Sequence, residues 1–124
     1  MEYKKLPHDH GQDIEQQLSH MPDADKFSTA AELFKLLGDT SRIRIFWLLC
    51  HCEECVMNLS AVVQMSSPAV SHHLKLLRAM GLVVSRRDGK EVHYKAANSE
   101  LSHQLHHMIE KMVEVTCPGS GKKE

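Results

Sequence analysis

Between Ser66 and Tyr94 the spacing of apolar residues changes from helical to strand-like, and this switch restricts the fold more than any other feature. Ser66-Ser67-Pro68 opens a helix. A serine can cap the first free N–H groups, and a proline in the first turn gives up an N–H that has no partner there anyway. Val70, Leu74 and Leu77 follow at i, i+4 and i+7 and so share one inward face, while Ser67, Ser71, His72, Lys75 and Arg78 fall on the other. The helix is expected to run to about Met80 and Gly81. From Leu82 the period becomes two, through Leu82 to Arg87 and again through Lys90 to Tyr94, with Asp88-Gly89 between. Asp-Gly between two β-prone runs predicts a hairpin, because both turn residues are then expected at φ > 0.

Upstream, Phe27, Ala30, Ala31, Phe34 and Leu37 lie at helical spacing, and Gly38 supplies a stop. Asp39 or Thr40 caps a second helix with an apolar stripe through Ile43, Phe46, Trp47 and Leu49 to Cys50, which the acidic pair Glu53-Glu54 interrupts. Val56 to Gln64 reads as a short third helix. After the hairpin, Ser99 to Val115 forms a last helix with Leu101, Leu105, Met108 or Ile109, and Met112 on its stripe. The sum is mainly α with a β-hairpin wing, the order of a winged helix-turn-helix, in which the second helix of the motif enters the DNA major groove. Residues 1–22 read as a polar arm with a short helix from Asp13 to His20, residues 23–117 as the DNA-binding and dimerisation domain, and residues 118–124 as a disordered tail.

Charge supports nucleic acid by its distribution, since the net value is only −1 over 124 residues. From Ser71 to Lys95 there are six cations (Lys75, Arg78, Arg86, Arg87, Lys90, Lys95) against Asp88 and Glu91, whereas residues 1–35 carry seven acids against four lysines. A basic segment on an otherwise acidic chain is the footprint a phosphate backbone requires. Ser67, Ser71, His72, Lys75 and Arg78 suit base edges and phosphates, and Arg86, Arg87 and Lys90 suit the backbone or a narrow minor groove. No run of eighteen apolar residues spans a membrane, and Met1 to Pro7 lacks the apolar core of a secretory signal, so a cytoplasmic protein is expected.

In that compartment thiols stay reduced, and clustered cysteines point to metal or redox chemistry instead of disulfides. Cys50-His51-Cys52-Glu53-Glu54-Cys55 places three thiols and an imidazole within six residues. Cys52 and Cys55 have the C-x-x-C spacing that wraps two thiolates onto one ion, Cys50 can close in from the helix end, and His51, His8 or His10 offers a fourth ligand. A thiolate-rich set favours Zn²⁺, Cd²⁺, Pb²⁺ or Cu⁺, and three thiolates alone suit arsenite. A second set lies on the last helix, where His103 with His107 and His106 with Glu110 are i, i+4 pairs. A competing reading makes the cysteines a redox or persulfide sensor, with Cys117 as a distant partner. It needs positive charge beside the thiols, where Glu53 and Glu54 supply the opposite. No enzyme is expected, since no orienting third residue, oxyanion motif or phosphate loop accompanies any Cys–His pair.

Leu36-Leu37-Gly38-Asp39-Thr40-Ser41-Arg42-Ile43-Arg44-Ile45, Ser67-Pro68-Ala69-Val70-Ser71-His72-His73-Leu74-Lys75-Leu76-Leu77, Gly81-Leu82-Val83 and the Arg87-Asp88-Gly89-Lys90 turn together resemble the ArsR/SmtB family of bacterial metalloregulators, over roughly residues 27–115. The resemblance implies a homodimer paired through its first and last helices. Such a dimer would bind a palindromic operator and release it on binding metal. It also implies two sensor locations from which this chain departs. The cysteine pair at the start of the third helix matches Cys55-Val56-Met57, so only Cys55 carries over, and the arm has His8-Asp9-His10 where relatives often have cysteines. The last-helix site falls on Asn98, Glu100, Lys111 and Glu114, of which asparagine and lysine are poor ligands.

Overall fold

The structure is a computed structural model, and it describes residues 6–116. The chain divides between Ala31 and Glu32 into two compact units, nine residues beyond the boundary expected from the polar arm. Cys117 and the tail at 118–124 lie outside the described residues.

The first unit holds α1 (Ile14–His20), whose first turn Asp13 caps by accepting from the Gln16 N–H, and the start of α2 (Ala24–Leu36). The second begins within α2 and continues through α3 (Thr40–His51), β1 (Glu54–Cys55), α4 (Val56–Val63), α5 (Ser67–Ala79), β2 (Val83–Asp88), β3 (Glu91–Ala96) and α6 (Glu100–Thr116). Among the described residues no helix is long and apolar enough to cross a membrane.

The caps follow from local chemistry. Asp39 accepts from the Arg42 N–H and opens α3, and Ser66 accepts from the Ala69 N–H and opens α5, with Pro68 in its first turn. Between α4 and α5 the chain turns sharply through Gln64, which takes φ 58°, a left-handed conformation uncommon outside glycine. Val70, Leu74 and Leu77 are buried as their spacing predicts. They join Ile45, Phe46 and Leu49 of α3, Leu59 and Val63 of α4, Leu82, Val83 and Leu105 in one core.

Three expectations need correction. The hairpin is one residue out of place: Asp88 pairs with Glu91, so the loop residues are Gly89 and Lys90. Of these only Gly89 is left-handed, at φ 68°. Glycine at the first loop position followed by an ordinary residue is the type II′ arrangement, which leaves Asp88 free to extend β2. Glu54-Cys55 form a short strand the sequence does not announce, pairing Glu54 with Tyr94 and Cys55 with His93 to give the order β1-β3-β2. The stripe of α6 is also rotated. Leu101, Met108 and Met112 are exposed, while Ser102, Leu105 and Ile109 face the core. Serine can take that inward position because its hydroxyl donates to the Leu82 carbonyl at 3.0 Å, so its own buried oxygen has a partner.

Of the α2 stripe only Leu37 is buried; Phe27 is 50% exposed and Phe34 63%.

Candidate functional site

The face expected to read DNA is assembled on α5. Ser71, His72, Lys75 and Arg78 are all exposed there, while Ser67, at the first turn, is half-buried and its hydroxyl donates to Met57 Sδ at 3.8 Å. Ser71, Lys75 and Arg78 line a cleft of about 360 Å³ with Tyr94 of β3, an aromatic neighbour that the sequence offers only as a strand residue. His73, next to His72, turns inward. Its Nδ1 accepts from Arg42 Nε at 3.1 Å, and Arg42 Nη1 also donates to the Leu36 carbonyl at 2.6 Å. Burial holds the imidazole pKa below its ordinary value, so His73 is a neutral acceptor that ties the reading helix to the start of α3.

The wing cations divide. Arg87 and Lys90 are exposed. Arg86 is already engaged: its Nε and Nη2 donate to the two carboxylate oxygens of Glu53 at 2.9 and 2.7 Å, and Nη1 lies 3.8 Å from Asp88. The bidentate bond holds the Glu53 carboxyl below its ordinary pKa and raises that of Arg86. Arg86, which the sequence offers to the phosphate backbone or a narrow minor groove, here links β2 to the segment that follows α3.

The three thiols are not gathered in one ligand sphere. Cys52 ends α3, is exposed, and its Sγ donates to the Leu48 carbonyl at 3.3 Å. Cys55 is buried on β1, paired with His93 in the sheet. Strand pairing, which spacing alone cannot show, sets its backbone on β1. Cys50 and Cys52 instead line a cleft of about 450 Å³ with Glu53, Asn98, His103 and His106. Burial, and then the negative charge of Glu110, push the Cys50 thiol from an ordinary value near 9 up to about 11. A group raised in this way favours the neutral thiol. Its stabilising contribution is complete below pH 9 and is lost as the pH rises through about 11. At pH 8 iodoacetamide is therefore expected to label Cys52 well before Cys50, as read by peptide mass spectrometry, since the thiolate is the nucleophile. Equal rates would mean that the α3 end opens in solution.

The arm histidines lie in the first unit, both exposed, with rings stacked at 5.9 Å and 13° and the Asp9 carboxylate accepting from the Gly11 N–H. On α6 one of the two expected pairs, His106 with Glu110, joins a wider group, and the other does not. His103 and His107 are exposed and are not drawn to Glu110 in a common group. His106, the expected i, i+4 partner of Glu110, is drawn there together with His51. Its Nε2 lies 3.0 Å from His51 Nε2 and 3.1 Å from Glu110 Oε2, and His51 Nε2 is 3.5 Å from the same oxygen. One residue rotates a helical side chain by about 100°, so His106, following the buried Leu105, faces α3 and His107 does not. Trp47 Nε1 donates to Glu110 Oε2 at 3.0 Å and, with the two histidines, holds that carboxyl below its ordinary pKa.

A two-helix reading motif with a charged wing and a donor-rich cleft behind it defines a DNA-binding regulator of the winged-helix class. The sequence profile described as bacterial regulatory protein, arsR family, matches residues 39–85. A transcriptional repressor SmtB homolog of Synechocystis is 36% identical over 92 residues, covering 74% of this chain and 70% of that one. The arsenical resistance operon repressor of Escherichia coli is 43% identical over 70 residues, 56% of this chain and 60% of that one. In structure, the Mycobacterium tuberculosis protein Rv0081 aligns with TM-score 0.68 and 30% identity over 77% of this chain and 97% of that one. The chain belongs to the arsR family, a family of transcriptional regulators and not of enzymes.

Proposed function

We propose that this chain is a homodimeric repressor that holds a palindromic operator through α5 and the wing and leaves it when a zinc- or cadmium-type ion binds. The carrying observation is that the end of α3 presents Cys50 and Cys52 to a cleft whose rim residue, Glu53, grips Arg86 of the wing. The donors fit a thiophilic or borderline ion: two thiols, with His103 lining the same cleft. The reading rests on Cys50 and Cys52, which share the cleft; Cys55, buried on β1, and the arm histidines His8 and His10 are further donors that it does not require.

The coupling runs through neighbouring groups. Drawing the two thiolates together moves the Cys52–Glu53 link. Glu53 moves Arg86, and β2 shifts against the reading helix. A coupling of about 1–3 kcal/mol changes operator affinity 5- to 150-fold, and operator DNA must weaken metal binding by the same factor. The raised pKa of Cys50 argues against Cys50 as an attacking thiolate, because few Cys50 thiolates exist at neutral pH without a metal to displace the proton.

The test is fluorescence anisotropy of labelled operator titrated with Zn²⁺, Cd²⁺ and arsenite. Cys52→Ser is expected to keep operator affinity and lose the metal-induced release. Full release in that variant would remove the thiols from the sensor, and release by arsenite alone would replace the divalent ion as effector.

A further inference from the structure

We propose that His51, His106 and Glu110 form a separate, thiol-free metal site that takes a borderline divalent ion of the zinc, cobalt or nickel kind and ties α3 to α6. Three observations carry it. First, the donor atoms make a triangle with sides of 3.0, 3.1 and 3.5 Å. An ion with bonds of about 2.0–2.1 Å to nitrogen and oxygen needs its tetrahedral donors about 3.3 Å apart. The triangle is therefore the face of a coordination sphere already at working size, and it is the single group of three or more such side chains to converge among the described residues.

Second, protons satisfy this arrangement poorly. Two Nε2 atoms facing each other at 3.0 Å can share one proton, and the carboxylate oxygen adds a third electron-rich atom to the same point. A divalent cation is what all three lone pairs can address together.

Third, the rings and the carboxylate are held by one another and by Trp47, which is not a ligand. Trp47 packs on His51 with centroids 4.2 Å apart, His51 meets His106 edge-on at 4.8 Å, and the Trp47 indole N–H fixes Glu110 Oε2. Outer-shell hydrogen bonds of this kind orient metal ligands and support their affinity. Two imidazoles and one carboxylate select zinc-like ions over soft, thiolate-seeking ones. Three protein ligands leave a fourth position for water. None of its three ligands is a thiol, although His106 also lines the cleft that holds Cys50 and Cys52.

The test is a Co²⁺ titration of the reduced, metal-free full chain without DNA, following visible absorption and the emission of Trp47, the one tryptophan in the sequence. The expected result is one cobalt per chain that quenches Trp47, with d–d bands and no thiolate-to-cobalt charge-transfer band accompanying that quenching. His106→Gln is expected to weaken that phase by about tenfold or more, while His107→Gln, one residue along the same helix, leaves it unchanged. Circular dichroism of both variants checks that the helices persist. Quenching that tracks charge-transfer bands, or survives His106→Gln, would overturn the site, as would cobalt binding without any quenching. Charge-transfer bands lost in Cys52→Ser report the thiol set alone, so failure of one site is not read as failure of the other.

Discussion

Phe46→Ala is expected to lower the unfolding free energy by about 3–5 kcal/mol, the usual cost of removing a buried aromatic ring. Phe46 is fully buried at the centre of α3, in the cluster that also holds Leu49, Leu59, Val70, Leu74 and Leu77. Two terms add: the transfer free energy of the lost ring, and a cavity that helices from three elements cannot all collapse to fill. Domains of this size have only about 5–15 kcal/mol of stability in total. The variant should therefore unfold at markedly lower urea concentration, and its thermal midpoint should fall by well over ten degrees. Circular dichroism in a urea series measures it. A cost under about 1 kcal/mol would mean that the ring is not enclosed in solution and that the core is centred elsewhere. Because α3 carries both the thiols at its end and the Arg42 tie to His73 at its start, loss of this packing should loosen operator binding and metal response together.

How much of this could be seen in the sequence depended on the range of the interaction. The α5 helix was legible because its signals are local: Ser66 and Pro68 set its start, and Val70, Leu74 and Leu77 show their face within two turns. The hairpin was legible for the same reason, although a type II′ turn with one left-handed residue moved the loop to Gly89-Lys90. The strand Glu54–Cys55 was not legible. Two residues have no period, and the strand exists because Tyr94 and His93 lie beside it. The same holds for the candidate ligands. The i, i+4 relation of His106 and Glu110 is on the page of the sequence, but which of His103, His106 and His107 faces α3 depends on the rotation of α6, which buries Ser102 and Leu105. His51 then meets His106 across 55 positions, a distance no spacing rule covers. Arg86 shows the converse. Its charge was readable, and its engagement by Glu53, 33 positions away, was not.

That engagement separates the basic residues in the second large effect, on operator affinity. Lys75→Ala and Arg78→Ala are each expected to cost about 1–3 kcal/mol, or 5- to 150-fold, as lost base-edge or backbone contacts. Both side chains project from the exposed face of α5, beside Ser71 and Tyr94. Each contact to phosphate should also reduce the slope of log affinity against log salt by about one unit. A base contact changes discrimination between operator and scrambled DNA more than it changes that slope. Lys90→Ala and Arg87→Ala should act almost wholly through the slope, since a wing tip meets the backbone and not the base edges. Arg86→Ala should behave differently from all four. Its guanidinium is already bonded to Glu53, so the salt slope should barely move, and the free carboxylate left at the cleft rim should alter the response to metal instead. Anisotropy titrations of the five variants at several salt concentrations distinguish these outcomes. If Arg86→Ala lowers the salt slope as much as Arg87→Ala, the Glu53 bond opens when DNA arrives, and the clamp is a gate between cleft and wing instead of a fixed strut.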